Sequence, residues 1–110
     1  MAALWGPGGR RRRCRGRPLA PRDIEVEPHV TRFVPVFSGF RPPPLPPVTL
    51  YHDELEALRL VDQLGLTQEE AGDRMGVSRG TIWRLLQSGR KKVIQALVEG
   101  REIMISPRKF

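Results

Sequence analysis

Apolar side chains recur with a helical period from residue 48 onward. Between residues 53 and 64 they fall at every third position, and charged residues occupy the positions between them. The stripe consists of Leu55, Leu58, Val61 and Leu64, widened by Ala57 and Leu60. Asp53 and Glu56 have the spacing of a capping box, and Gly65 suits the left-handed position after a helix. The pattern predicts a first helix over 53–64.

Two further helices follow at once. Thr67 and Glu70 form a second capping-box signature, and Gly76 limits that helix to Met75. Ser78 is a third N-cap candidate, and Gly100 ends the helix that it starts. The expected buried face of the third helix consists of Ile82, Leu85, Leu86, Val93 and Leu97, with Gly89 and Ala96 allowing close packing.

The first half of the chain has no helical period. We divide the chain into a disordered basic arm over 1–22, an extended, proline-rich segment over 23–47, a helical domain over 48–105 and a tail over 106–110. Residues 40–47 should form a stiff polyproline II spacer. A strand near Val30–Val34 could pair with the β-prone segment Arg101–Ile105. The predicted fold class is mainly α, with a short two-stranded β element as the possible addition.

Residues 68–87 fit the helix-turn-helix pattern. That pattern needs apolar residues at set positions, a small residue where the two helices cross, and a glycine with positive φ in the turn. The small residue is Gly72 and the turn glycine is Gly76. The apolar positions are filled by Ala71, Met75, Val77, Ile82 and Leu85. The alternative is a purely structural helical hairpin that binds nothing.

Length and charge restrict the function. The chain has 110 residues, one cysteine, two histidines and a net charge of +7. Residues 1–22 hold seven arginines and no acid, whereas residues 23–110 hold 12 basic and 12 acidic side chains. We therefore expect a basic arm on a neutral body, which suits a polyanion such as nucleic acid. The arm could equally be a solubilising tail or an extension from an upstream start codon.

The inventory of side chains argues against an enzyme. It lacks a Ser/His/Asp set, a phosphate loop and metal-ligand spacing at His29 and His52, so we expect neither cofactor nor metal. There is no apolar run long enough to span a membrane and no secretory signal. A cytoplasmic, nucleoid-associated location is the resulting expectation.

The third helix is the basic one of the helix-turn-helix, and between Ser78 and Val98 it has no acid. The candidate DNA-binding residues are Ser78, Arg79, Thr81, Arg84, Gln87, Ser88, Arg90, Lys91 and Lys92. The residues that point away from the apolar stripe on a helical wheel are Arg79, Thr81, Arg84, Gln87, Ser88 and Lys91. Arg84 is suited to a hydrogen-bonded contact with guanine and Gln87 to one with adenine. Thr81 is suited to contact with a thymine methyl group. Arg90, Lys91 and Lys92 suit phosphates, or form a solvated surface only.

Two resemblances support this interpretation. Residues 67–86 resemble the region 4 helix-turn-helix of primary sigma factors. A closer resemblance is to a family of small prokaryotic proteins of unknown function that are predicted to bind DNA. The matching motifs are Arg17-Pro-Leu-Ala-Pro-Arg22, Glu27-Pro28, Asp53-Glu-Leu-Glu-Ala-Leu-Arg-Leu60, Gln68-Glu-Glu-Ala71, Met75-Gly-Val-Ser-Arg79 and Ala96-Leu-Val-Glu-Gly100.

The second resemblance spans about residues 16–105 and implies a helical domain with a sigma-like DNA-binding motif. Three features depart from that family. They are the additional residues 1–15, the proline-rich segment 40–47, and Trp83 where the family often has a small residue. Trp83 could stack on a sugar, wedge beside a base, or cover an apolar neighbour.

The leading hypothesis is a DNA-binding transcriptional regulator that inserts the third helix into the major groove. The alternative is an adaptor that docks on RNA polymerase or another protein through the same helices. Double-stranded DNA is the expected partner, and RNA polymerase and a second copy of the chain are further candidates. A dimer on half-sites about 34 Å apart would supply the affinity that one helix-turn-helix lacks.

Overall fold

Three helices and a small sheet make up the part of the chain that the computed structural model describes, residues 22–25, 28 and 30–109. Helix α1 covers His52–Leu58 and continues as a π-helical turn over Arg59–Gln63. Helix α2 covers Gln68–Met75 and helix α3 covers Arg79–Glu99. The strands are β1, Arg32–Phe33, β2, Val48–Tyr51, and β3, Ile103–Ser106. Except for Arg22, the predicted basic arm lies outside the described residues.

The ends of α2 and α3 confirm the predicted caps. The Thr67 hydroxyl accepts a hydrogen bond from the Glu70 amide at 3.0 Å, and the Glu70 carboxylate accepts one from the Thr67 amide at 2.9 Å. Ser78 Oγ accepts from the Thr81 amide at 3.1 Å. Both helices end at a left-handed glycine, Gly76 with φ 69° and Gly100 with φ 66°. Local sequence therefore determines where these two helices begin and end.

The start of α1 differs from the prediction. The helix begins at His52, directly after β2, and the predicted capping box of Asp53 and Glu56 is wrong. Instead the Glu54 carboxylate accepts a hydrogen bond from the amide of Tyr51 at 2.9 Å. The strand leads straight into the helix, so the capped amide lies two residues earlier than the pattern indicated. Gly65 has the predicted positive φ, 79°.

The buried face of α1 also differs from the predicted stripe. The main core consists of Ala57, Leu60, Ala71, Met75, Ile82, Leu85 and Leu86. Leu55 and Leu58 are only half-buried and Leu64 is exposed, whereas Asp53, Glu54 and Glu56 are buried with 2%, 1% and 2% exposure. On α3, Leu97 is exposed although its spacing predicted burial. Ionic partners from other segments make the burial of the three acids possible, as described below.

The sheet has three strands in the order β1-β3-β2. Strands β1 and β3 pair antiparallel, with Arg32 opposite Met104 and Phe33 opposite Ile103, so the predicted pairing of these two segments is confirmed. The prediction missed β2, which pairs parallel with β3 from Val48 opposite Ile103 to Tyr51 opposite Ser106. The fold is therefore mixed α/β rather than mainly α. Residues 40–47, predicted as a polyproline II spacer, are exposed and form neither helix nor strand.

Two predicted boundaries need correction. Arg22, assigned to the arm, lies against the helices, where its Nε is 3.5 Å from Asp53 Oδ2. The predicted tail 106–110 is also attached. Ser106 belongs to β3, and Arg108 Nε donates a hydrogen bond to Asp53 Oδ2 at 2.6 Å. The segments before and after the helical domain are held against α1, because the buried carboxylate of Asp53 needs cationic partners.

Helices α2 and α3 meet in a tight corner at Gly72. A Cβ built on Gly72 would lie 2.7 Å from the backbone oxygen of Val77, closer than real Cβ contacts. That oxygen belongs to the turn between the helices, and the Val77 amide donates to the Gly72 oxygen at 2.9 Å. The small residue that the sequence pattern required is therefore needed for backbone-to-backbone contact.

We expect Gly72→Ala to destabilise the protein by about 1–3 kcal/mol, because the new methyl group overpacks against rigid backbone. The matched control is Gly80→Ala in α3, where the nearest atom to the added Cβ is 3.8 Å away. That change should be neutral or should stabilise by up to about 1 kcal/mol. Urea unfolding followed by circular dichroism measures both. Equal unfolding midpoints for the two variants would contradict the tight corner.

Candidate nucleic-acid interface

The N-terminal half of α3 presents an exposed polar surface. Arg79, Arg84 and Gln87 are all exposed, and Trp83 has 53% exposure between them. Arg79, Trp83 and Arg84, together with the start of α2, border an open depression. Its lining residues are Thr67, Gln68, Glu69, Arg79, Gly80, Trp83 and Arg84. Trp83 is therefore not a buried core residue, and about half of its surface faces solvent.

Hydrogen bonds at the start of α3 connect the cap to an arginine. The Ser78 and Thr81 hydroxyls lie 3.1 Å apart, and Arg84 Nη2 donates to Thr81 Oγ1 at 3.4 Å. Ser78 and Thr81 are therefore engaged in capping the helix, with the Arg84 guanidinium beside them. In the described residues no carboxylate pairs with Arg79 or Arg84.

The segment 22–25 runs along this corner. The Asp23 amide donates to the backbone oxygen of Met75, the last residue of α2, at 3.0 Å. The pKa of Arg22 is lowered, first because the guanidinium is buried, with Asp53 opposing the shift and the positive charges of Arg108 and Arg84 adding to it. The chain reaches the helices beside the exposed face of α3.

The cations in the C-terminal half of α3 have different surroundings. Arg90 donates two hydrogen bonds to Asp62, at 3.0 and 2.7 Å, which is the bidentate geometry of a strong ion pair. This hydrogen bonding lowers the pKa of the Asp62 carboxyl and raises that of Arg90. Lys91 is exposed and has no ion pair within the described ranges. Of these two neighbouring cations, Lys91 is the one that a ligand could bind without breaking an ion pair.

Lys92 and Ser88 point inward, toward α1. Lys92 Nζ donates to the Glu54 oxygens at 2.8 and 3.0 Å and lies 4.7 Å from the centre of the Tyr51 ring. The Ser88 hydroxyl donates to the same carboxylate. The helical-wheel placement of Ser88 on the exposed face is therefore wrong, and Lys92 is part of the packing between α1 and α3. Both side chains stabilise the buried charge of Glu54.

The sequence analysis missed two arginines outside α3 as partners of a buried acid. Asp53 accepts from Arg108, whose guanidinium lies 4.3 Å from the centre of the Tyr51 ring, and it is also paired with Arg22. The hydrogen bond to Asp53 raises the pKa of Arg108. The motif containing Arg22 was noted only as a resemblance. Nothing local to Arg108 signals its contact, because its partner lies 55 positions earlier.

Glu56 completes the row of buried acids. It accepts from Arg59 at 2.8 and 3.0 Å and from the amide of Glu25 at 2.9 Å. Arg59 also donates to the Glu25 carboxylate at 3.1 Å, and these contacts, Glu56 first, raise the pKa of Arg59. The N-terminal segment is thus attached to α1 at two points, Arg22 on Asp53 and Glu25 on Glu56 and Arg59.

Of the nine candidate residues, four are exposed and neither cap α3 nor form an ion pair within the described residues: Arg79, Arg84, Gln87 and Lys91. Ser78 caps the helix at the amide of Thr81, Arg90 pairs with Asp62, and Ser88 and Lys92 contact Glu54. Within residues 22–25, 28 and 30–109, His, Cys, Asp and Glu nowhere cluster as a metal site would require. In the same residues no helix has the length and apolar character needed to cross a membrane.

Comparison with known proteins identifies a family. The model for the protein of unknown function DUF134 matches residues 10–109. This chain belongs to that family. A UPF0251 protein of Pyrococcus furiosus is 56% identical over 104 residues, covering 94% of this chain and 88% of its own. A UPF0251 protein of Methanosarcina acetivorans is 48% identical over 94 residues, covering 86% and 82%. No solved structure matches the chain.

The DUF134 match corrects one expectation about the arm. It begins at residue 10, so it includes the run Arg10–Arg13, which the resemblance had left outside the family. The alignment with the Pyrococcus furiosus relative, covering 94% of the chain, also extends beyond the expected boundary at residue 16. The basic run is therefore within the region shared with the family.

Lys92→Met should destabilise the DUF134 protein by about 1.5–3 kcal/mol, because Glu54 then loses hydrogen bonds from a charged donor and stays buried. The same substitution at exposed Lys91 is the matched control and should change stability by less than about 0.5 kcal/mol. Chemical unfolding at neutral pH measures both. Comparable losses of stability at the two positions would show that Lys92 does not serve Glu54.

Proposed function

We propose that this protein binds double-stranded DNA as a transcriptional regulator, with the N-terminal half of α3 entering the major groove. The observation that carries the proposal is the exposed set Arg79, Arg84 and Gln87. These side chains lie on one helix that has no acid before Glu99, directly after a tight corner, and no carboxylate within the described residues forms an ion pair with the two arginines. Long, exposed donors of this kind are suited to phosphate and base edges.

The corner itself supports the same function. A helix-turn-helix needs two helices held at close quarters so that the second one projects from the surface. Gly72, Gly76 and the Ser78 cap give α2 and α3 this arrangement through backbone contact. The projecting helix has 21 residues, so only part of it is needed for packing. Arg84 and Gln87 are the proposed base-reading residues, with Arg79 at base or phosphate.

Phosphate contact falls mainly to Lys91 in the C-terminal half of α3. Ser88 and Lys92 stay with Glu54, and Arg90 would have to leave Asp62 before it could bind a phosphate. The segment 22–25 reaches the corner that precedes α3, because the Asp23 amide donates a hydrogen bond to the backbone oxygen of Met75. Arg22 therefore adds a positive charge to the same side of the domain.

An adaptor that binds RNA polymerase or another protein is the second candidate function. It is favoured by the α3 apolar face, which we define as the exposed residues Ile94, Leu97 and Val98. Salt dependence separates the two functions. Each DNA phosphate that the protein neutralises steepens the fall of log affinity with log salt by about one, whereas an apolar interface gives little slope.

Arg84→Ala should lose preference at one base pair, equivalent to about 1–3 kcal/mol of discrimination, while the fold is unchanged. Lys91→Ala is the matched comparison, since it removes a cation from the same exposed face. It should weaken binding to every sequence alike and reduce the salt slope by about one. Both variants are titrated against DNA selected from a random pool and against a scrambled duplex of equal length.

Equal losses of affinity on both duplexes would assign Arg84 to phosphate contact. If neither variant changes DNA binding, α3 is not the DNA-binding surface and the adaptor function takes precedence.

Removal of residues 1–15 should lower affinity for scrambled DNA and leave site preference intact, because the arm supplies charge without reading bases. Thermal unfolding should be unchanged, since the anchoring residues 22–25 are retained. Binding of the shortened protein to selected and scrambled duplexes at several salt concentrations provides the measurement. Loss of site preference would instead indicate that the arm reads the minor groove.

A further inference from the structure

The exposed surface of α3 changes character along the helix. Its N-terminal half carries Arg79, Arg84 and Gln87, whereas its C-terminal half carries the α3 apolar face, with 57%, 70% and 78% exposure at Ile94, Leu97 and Val98. Residues 93–98 include no charged side chain. With 3.6 residues per turn, positions 94, 97 and 98 form a continuous patch on one side of the helix. Solvation alone gives no reason for such a patch.

The loop that follows β1 enlarges this patch. The Phe37 ring lies against Gly100, where an added Cβ would be 2.9 Å from the ring. Exposed Val36 directly precedes Phe37 and therefore lies near the same end of α3. Together with the α3 apolar face it exposes on the order of 500 Å², which is more than half of the about 800 Å² per partner that a stable interface buries.

We propose that a second copy of this chain covers the α3 apolar face, with the two α3 helices crossing at Leu97 around a two-fold axis. In such an isologous contact the same patch serves both partners, so Leu97 of each copy meets Leu97 of the other. The patch contains no charges, so its meeting with its own copy involves no like-charge repulsion.

The length of α3 sets the distance between the two Arg84 residues of this dimer, and with it the spacing of the DNA sites that the dimer would bind. This step rests on the proposed function. Arg84 lies about 20 Å before Leu97 along the helix axis. Two copies crossing at Leu97 therefore hold their Arg84 residues up to about 40 Å apart. Adjacent major grooves on one side of B-DNA are about 34 Å apart, which helices crossing at a wide angle would match. The C-terminal half of α3 would then determine the half-site spacing.

The interface is tested without DNA, by sedimentation equilibrium of the full chain. The wild type should have twice the chain mass of 12.5 kDa, and Leu97→Glu and Leu97→Lys should each have the mass of one chain with unchanged circular dichroism. An equimolar mixture of the two variants should recover the dimer, because opposite charges then meet at the two-fold axis. Leu64→Glu, at an exposed leucine outside the patch, should remain dimeric.

A monomeric wild type would overturn the interface, and so would Leu97 variants that dimerise as the wild type does. A mixture that stays monomeric would overturn the meeting of Leu97 with itself. These outcomes do not depend on whether the protein binds DNA.

The DNA step has its own measurement. Sites selected from random duplexes should be inverted repeats with centres about 10 base pairs apart. Leu97→Glu should bind such a duplex at least tenfold more weakly than the wild type and bind a single half-site equally well. A dimer that selects single or directly repeated sites overturns the spacing role and leaves the interface standing. A dimer that binds no DNA overturns the proposed function instead.

Discussion

The burial of three carboxylates in the first turns of α1 is the constraint on which the rest of the structure depends. An ionised carboxylate taken out of water costs several kcal/mol unless cations and hydrogen-bond donors surround it. Asp53, Glu54 and Glu56 obtain these partners from separate parts of the chain: Arg22 and Glu25 before the sheet, Ser88 and Lys92 on α3, and Arg108 after β3. The acids therefore hold the N-terminal segment, α3 and the C-terminal segment against one helix.

This network also divides the cations of α3 into two groups. Lys92 is turned toward Glu54 and Arg90 is paired with Asp62, so both serve the contact of α3 with α1 and its π-helical continuation. Arg79, Arg84 and Lys91 lie on the other side of the helix and are left to solvent. A count of basic residues treats all five as equivalent. The position of the buried acids determines which of them form a binding surface.

How far sequence alone could predict this protein depended on the range of each interaction. The Thr67 and Ser78 caps and the glycines at 72, 76 and 100 follow from local signals, and so does the strand propensity of the two segments that pair as β1 and β3. Strand β2 was missed because its parallel partner follows all three helices and its four residues also fit the start of a helical period. The burial of the acids of α1 was not predicted, because their partners lie up to 55 positions away. The same long-range contacts reversed the assignments of Ser88 and Lys92.

The remaining exposed surface of α3 follows from what α1 and the sheet leave uncovered. A helix of 21 residues is longer than the small core beside it requires, and its buried residues Ile82, Leu85, Leu86, Gly89 and Ala96 occupy one side only. The opposite side is free along its whole length, polar where it adjoins the tight corner and apolar where it approaches Gly100. Because one rigid helix carries both surfaces, any partner held at the apolar end has a defined distance from the polar end. The length of α3 therefore fixes the distance between its apolar contact surface and its proposed DNA-reading surface.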